Sequence, residues 1–210
     1  MKIHYNKNQG FQYSYISDRN YSEIKDSFLK NTLIALDYMY KNDVLTVTYV
    51  RGEEKRTLDI LDALIHEADE PINIRQGDSN KYYPASNTVQ FKDTHGVKFR
   101  KDYKKRFNGS NIGYNSPLSL LSHELIHCYH ELFDEAGYRR RRINKTTKGR
   151  KLTQHGRDLS FPNKEEELVI RLTNQVAKSL GEDKRGNYGR NYYATESVLS
   201  IEKKKIDRES

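Results

Sequence analysis

The stretch SPLSLLSHELIHCYHELFDEAG, residues 116–137, decides how the rest of the chain is read. Its ends are marked: Ser116 suits an N-cap, Pro117 suits the first helical position, and Gly137 suits the residue just past the end. Between them Leu118, Leu121, Leu125, Tyr129 and Leu132 recur at helical spacing, which predicts a packed helix with one apolar stripe. Inside it stands HELIH. His123 and His127 are four residues apart, so both rings leave one face with Cβ atoms ~5–6 Å apart. Zinc takes imidazole nitrogens at about 2.0–2.1 Å, and this spacing lets two rings converge on one ion. Glu124 lies beside them but off the metal axis, where it can take the proton of a water that attacks a carbonyl. The plainer alternative is a structural helix on which two histidines happen to fall. Leu125 and Ile126, apolar at the two variable positions of the motif, favour the metal because they line the site with core.

The third ligand stays open at the level of spacing. Phe133 stands where a metzincin needs its third histidine, which rejects that class. Asp158 and His155 lie in the long polar connection after the helix, and EEE at 165–167 begins the next apolar-periodic segment. Acidic residues in a first turn also serve simply to offset the helix dipole. His130, one turn beyond His127, reads as a surface residue or as a neighbour of the site, and Cys128 as core.

Around this helix the chain reads as a single α+β domain of 210 residues with a small mixed or antiparallel sheet. Asn20 and Glu23 form a capping-box pattern ahead of a helix running to about Lys41. Residues 44–50 and 71–76 read as strands, and 58–68 as a second helix. Residues 87–100 read as a hairpin or two short strands around Gly96, at the edge of the sheet and facing the substrate. Residues 139–163 lack apolar periodicity and read as one connection. Asn163 caps a last helix that stops at Gly181. Residues 1–20 and 203–210 are expected to be loosely ordered.

Composition narrows the classes further. The net charge of +8 suits acidic partners of any kind. The basic run shows no nucleic-acid fold signature and little aromatic interleaving, which argues against nucleic acid. No apolar run approaches the ~20 residues of a membrane span. The first residues lack the apolar centre of a secretory signal, which argues against Sec-type export. The single cysteine, Cys128, excludes an intramolecular disulfide.

Two stretches, SPLSLLSHELIHCYH and EEELVIRLTNQVAKSLGEDKRGNY, together resemble the NleD-like family of bacterial effector and toxin zinc metallopeptidases. The resemblance covers roughly the last half of the chain. It implies a zincin-like domain that binds zinc through His123, His127 and a glutamate, with Glu124 as the base. Counting back from Asn174 favours Glu166 over Glu165 as that glutamate. Arg185 and Tyr188 fall on the arginine and tyrosine of the pattern, and a tyrosine hydroxyl near the metal would stabilise an oxyanion. Thr173 departs from the pattern, standing where an acidic residue is common. The implied activity is endopeptidase cleavage of a protein, such as a signalling kinase, inside a target cell reached by a type III-like or other non-Sec route. A toxin used between bacteria is the nearest variant. A basic binding protein for nucleic acid or phosphoprotein, with a structural HELIH helix, is the alternative of another class. Arg139 to Arg142 are a candidate contact for an acidic docking groove on a protein substrate.

Overall fold

The computed structural model describes residues 1–6, 9–101, 111–145, 161–186 and 188–204. Strands β1 (Lys2–Tyr5), β2 (Gln9–Gln12), β5 (Asn73–Gln76), β6 (Lys81–Tyr83) and β7 (Thr88–Phe91) form a five-stranded sheet in the order β2-β1-β5-β7-β6. Its three inner strands are parallel and its two outer strands antiparallel to their neighbours. A separate antiparallel sheet has β8 (His95–Arg100) between β9 (Ile112–Asn115) and β10 (Asn191–Ala194). A hairpin of β3 (Thr46–Arg51) and β4 (Glu54–Asp59) is the third. Among the described residues there are five α-helices: α1 (Ser27–Lys41), α2 (Ile60–His66), α3 (Pro117–Phe133), α4 (Glu135–Ile143) and α5 (Lys164–Ser179). The class is therefore α+β. None of these helices is long and apolar enough to cross a membrane.

The HELIH helix, α3, is the centre of the molecule. Every residue from Pro117 to Cys128 is buried, so its polar face is covered as fully as its leucine stripe. Leu118, Leu121, Leu125 and Ile126 join one core with α1, α2, α5 and the inner strands, including Ile3, Leu33, Ile74, Val89 and Phe91. A buried helix start needs partners for its free N–H groups. Ser116 Oγ accepts from Ser119 N, Val198 O accepts from Leu118 N, and Glu182 Oε2 accepts from Ser116 N and Ser119 Oγ.

Helix α5 lies against α3. Asn163 caps it, accepting from Glu166 N at 2.9 Å, and Gly181 follows its end with a left-handed φ of 72°. Two neighbouring amides on α5 hold other parts of the chain by imitating backbone. Gln175 pairs with both N–H and C=O of Thr48 on β3, at 2.9 Å each. Asn174 pairs likewise with N–H and C=O of Arg185, at 2.7 and 2.8 Å. Helix, hairpin and the segment after the helix are thereby fixed to one another.

Several elements differ from their sequence reading. Residues 1–20, expected to be loosely ordered, supply β1 and β2, and Ile3 is fully buried. Asn20 and Glu23 cap a single 3₁₀ turn, while α1 starts later, where Asp26 accepts from Leu29 N. Strand β4 escapes the alternation rule because most of its residues are exposed on both faces. α3 ends at Phe133, not near Gly137. Asp134 closes α3 through its N–H and caps α4 through its carboxylate, which accepts from Gly137 N. A Cβ on Gly137 would collide with that carboxylate, so the glycine serves the α4 cap and not the α3 terminus. α4 occupies the start of the expected polar connection. Its exposed Glu135–Arg139 pair at i,i+4 and its basic last turn support a helix without an apolar stripe. His155 and Asp158, the two ligand candidates in that connection, lie outside the described residues.

The 87–100 segment is not a hairpin at a sheet edge. β7 is an inner strand of one sheet and β8 the middle strand of another. β7 is buried on both faces, as inner parallel strands are, which its short polar-looking sequence concealed. The outer strand on the α3 side is β6. Gly96 marks a close approach inside β8, since a Cβ there would lie 2.5 Å from Asn115 O across the ladder. Gly96→Ala should therefore force β8 and β9 apart, at a cost of about 1–3 kcal/mol for overpacking. For a chain of this length each kcal/mol lowers the Tm by roughly 2–4 °C. A thermal melt with an unchanged midpoint would contradict the close approach.

Candidate metal centre

His123 and His127 point from α3 toward the first turn of α5, both nearly fully buried. Their rings stand 4.9 Å apart at an interplanar angle of 81°, so they converge without stacking. Glu166 enters between them. His123 Nε2 lies 3.3 Å from Glu166 Oε2, and His127 Nε2 lies 3.4 Å from Glu166 Oε1. One ligand atom from each of the three residues lies within 4.8 Å of the other two. Bonds of about 2.0–2.1 Å at tetrahedral angles put neighbouring ligand atoms roughly 3.3–3.4 Å apart. The Glu166 carboxylate comes to about that distance from each ring, through Oε2 for His123 and through Oε1 for His127.

The far nitrogen of each ring is also engaged. Thr173 Oγ1 lies 3.3 Å from His123 Nδ1, and the same hydroxyl donates to Val169 O at 2.9 Å. With its proton spent on Val169, Thr173 accepts, which puts hydrogen on His123 Nδ1 and leaves Nε2 bare. Glu165 Oε1, 3.2 Å from His127 Nδ1, likewise holds a hydrogen on Nδ1 of the second ring. A carboxylate, carbonyl or hydroxyl on the distal nitrogen is the usual way a metal-binding imidazole is aimed and its tautomer set. Thr173, the departure from the family pattern, thus takes the distal contact that an acidic residue could make. His130 is neither surface nor ligand: it is buried and its Nδ1 lies 2.5 Å from Glu165 Oε1.

The donor set fits a zinc ion. Glu166 Oε2 is buried and has no aligned hydrogen bond, although His123 Nε2 is only 3.3 Å away. A cation between the three residues would satisfy this orphaned oxygen. Two nitrogens and one carboxylate leave a fourth position, the arrangement of catalytic zinc rather than structural zinc. The proton balance points the same way. Burial pushes His123 below the ordinary histidine range, which keeps it neutral. Burial acts on His127 too, but the hydrogen bonds with Glu165 and Glu166 overcome it and raise His127 to about 10. Burial would raise both glutamates, yet their histidine partners hold them well below the usual carboxylate range. A proton on His127 therefore stands in for a metal cation.

Glu124 is buried one residue along from His123, and its Oε2 accepts from Tyr82 N on the outer strand β6 at 2.8 Å. Tyr188 is partly buried, and burial and the Glu166 charge raise its pKa. Its position is tied to α5, because Asn174 holds Arg185 and Arg185 Nη2 donates to Tyr188 O. Arg185 is itself buried, and burial together with the neighbouring Arg190 lowers it to about 10. Arg190, which the sequence reading passed over, stacks over the Tyr188 ring at 5.2 Å. The alternation of arginine and tyrosine in YGRNYY was the available signal.

No family model, no curated protein and no solved structure matches the chain.

Glu166 and Glu165 are adjacent, and their substitutions separate a ligand from a residue that aims one. Glu165→Gln should weaken zinc binding about 10- to 100-fold. Glu166→Gln, His123→Ala and His127→Ala should each weaken it further, since two remaining ligands hold the ion poorly. Chelator competition reads the ranking, and a larger effect at Glu165 would exchange the two roles. Zinc must also displace the proton on His127, so affinity should rise with pH up to about 10. Calorimetry in buffers of different ionisation enthalpy should show a proton released on binding.

Proposed function

We propose that this chain is a zinc-dependent endopeptidase with a zincin-like site. The observation that carries the reading is the pair of 3.3 and 3.4 Å separations from Glu166 to the two Nε2 atoms, with Glu124 on the same helix turn. When bound, zinc would supply Lewis acidity for hydrolysis of a carbonyl compound. Glu124 would take the proton of the attacking water and pass it to the leaving amine nitrogen. Tyr188, whose pKa feels the Glu166 and Glu124 charges, would donate a hydrogen bond to the developing oxyanion and keep its proton. Arg185 positions Tyr188 by holding its carbonyl. Strand β6 is outermost in its sheet, and its outward Tyr82 N–H is spent on Glu124, so β6 steadies the base and a peptide lying along β6 would pass beside it.

The resemblance to the NleD-like effectors supports a protein substrate inside a target cell, with a signalling kinase as the first class to examine. It equally supports delivery by a non-Sec route. The binding-protein alternative loses its main feature, because Arg141 turns inward to Glu165 and Asp134 and the basic run is not one free surface. Docking to an acidic groove remains a proposal for Arg139, Arg140 and Arg142. Neutralising those three while keeping Arg141 should raise the KM for a protein substrate and leave cleavage of a short peptide unchanged. Equal loss on both substrates would assign the arginines to the fold.

The chemistry is tested by incubating the zinc-loaded protein with a cell lysate and mapping new N-termini. Glu124→Gln should retain zinc and the fold but lose turnover at least 100-fold, within the range for a general base. Tyr188→Phe should lower kcat, with KM little changed. Cleavage by Glu124→Gln at the wild-type rate would sink the mechanism.

A further inference from the structure

Glu165 is fully buried, and its two oxygens collect three donors from two helices. His127 Nδ1 and His130 Nδ1 reach Oε1 at 3.2 and 2.5 Å, and Arg141 Nε reaches Oε2 at 2.5 Å. Arg141 Nη1 also binds Asp134 Oδ2 at 2.8 Å, while the other Asp134 oxygen caps α4. On the opposite side, Tyr49 Oη on β3 lies 2.9 Å from His130 Nε2. A continuous set of contacts thus runs from the α3–α4 corner through Arg141 and Glu165 to the ring of His127.

We propose that Arg141 is a positioning residue for the metal centre: it holds Glu165 in place so that Oε1 meets His127 Nδ1 and the ring turns Nε2 toward Glu166. The chemistry of the contacts leaves little freedom. An ionised carboxylate only accepts, so both histidines facing Glu165 donate from Nδ1. Burial keeps His130 on the neutral side, so its Nε2 accepts from the Tyr49 hydroxyl. His130 then brings no full charge to Glu165. Arg141 brings one that cannot be lost, and its flat fork joins Glu165 and Asp134 at once. Without the Arg141 fork, Glu165 loses its link to Asp134 and the α3–α4 corner and is free to rotate about its side-chain bonds. Such a rotation would disturb the His127 hydrogen bond. The run RRRR, uniform in sequence, is therefore divided in use. Arg139 pairs with exposed Glu135 and Arg142 lies on Tyr138, while only Arg141 reaches the metal site.

The inference rests on the metal reading above, and two measurements on the full chain keep the two apart. In the metal-free protein, the hydrogen-bonded ring N–H proton of His127 should give a protected downfield NMR signal. The signal should persist in Arg140→Gln, an exposed control on the same helix, and disappear in Arg141→Gln. In the zinc-loaded protein, chelator competition should show affinity about 10- to 100-fold weaker for Arg141→Gln and unchanged for Arg140→Gln. Arg141→Lys, which keeps the charge but loses the fork, should recover part of the loss and guards against a variant that fails to fold. A wild-type protein that shows the ring signal but binds no zinc would refute the metal reading, and this inference toward the metal with it. A ring signal that survives in Arg141→Gln, or a lowered melting temperature with unchanged zinc affinity, would overturn the role of Arg141 alone.

Discussion

Burying ionisable groups without water is the constraint around which the structure is built. His123, His127, His130, Glu165 and Glu166 meet between α3 and α5, where every one is wholly or mostly shielded. An isolated buried charge is too costly for a chain of this size to carry, so each group must find a partner of the right sign and geometry. The fold supplies them in two sets. Glu165 is answered by His127, His130 and Arg141, all within the protein. Among the described residues, Glu166 is answered by two imidazole edges and keeps one oxygen without an aligned bond. A carboxylate complete in its protein contacts and a carboxylate left incomplete stand side by side on one helix turn. That difference, more than the HELIH spacing, distinguishes a metal site from a histidine-rich core.

The surrounding architecture keeps this pair of helices from shifting. A lateral slip of α5 by a fraction of an ångström would spoil contacts to both histidines. Gln175 and Asn174 resist it by pairing with backbone on two different segments. At the start of α3, Ser116 and Glu182 accept from the buried N–H groups that the helix itself leaves free. Tyr82 N ties the opposite face of α3 to the outer strand β6 through Glu124. Glu124 and strand β6 are thus fixed to each other by one hydrogen bond.

How much of this could be read in advance depends on whether a residue answers to local or distant demands. The start of α3 and both ends of α5 were legible because caps, apolar period and, for α5, a stop signal are local: Ser116 and Pro117 in one, Asn163 and Gly181 in the other. The convergence of His123 and His127 followed from helical geometry alone. β4 was not legible, since Glu54 to Asp59 are mostly exposed and carry no alternation. α4 was missed because its support comes from an ion pair and from Asp134 and Glu165, not from an apolar stripe. Gly96 and Gly137 read as turn and terminus signals, yet both are small because another group comes close. The edge strand was assigned to 87–100 because three-residue β6 is too short to show a period.

The triple glutamate at 165–167 shows where a sequence argument must stop and a rotation decide. All three residues lie in the first turn of α5, where the N-terminal dipole favours negative charge whichever way they face. By composition they are interchangeable. Successive residues on a helix of 3.6 residues per turn differ by about 100° in direction, so adjacent glutamates reach different edges of a shared neighbour such as His127. The angle between α5 and α3 selects which one meets both Nε2 atoms, and it selects Glu166. The preceding direction falls to Glu165, which meets the Nδ1 atoms and Arg141 instead. Asn163 sets this rotation at its origin, because its side chain caps Glu166 N and so fixes where the first turn begins. A start one residue later would alter which glutamates fall within the first turn. The residue that caps the helix therefore helps determine which carboxylate meets both Nε2 atoms, acting through the Glu166 backbone and not through its side chain.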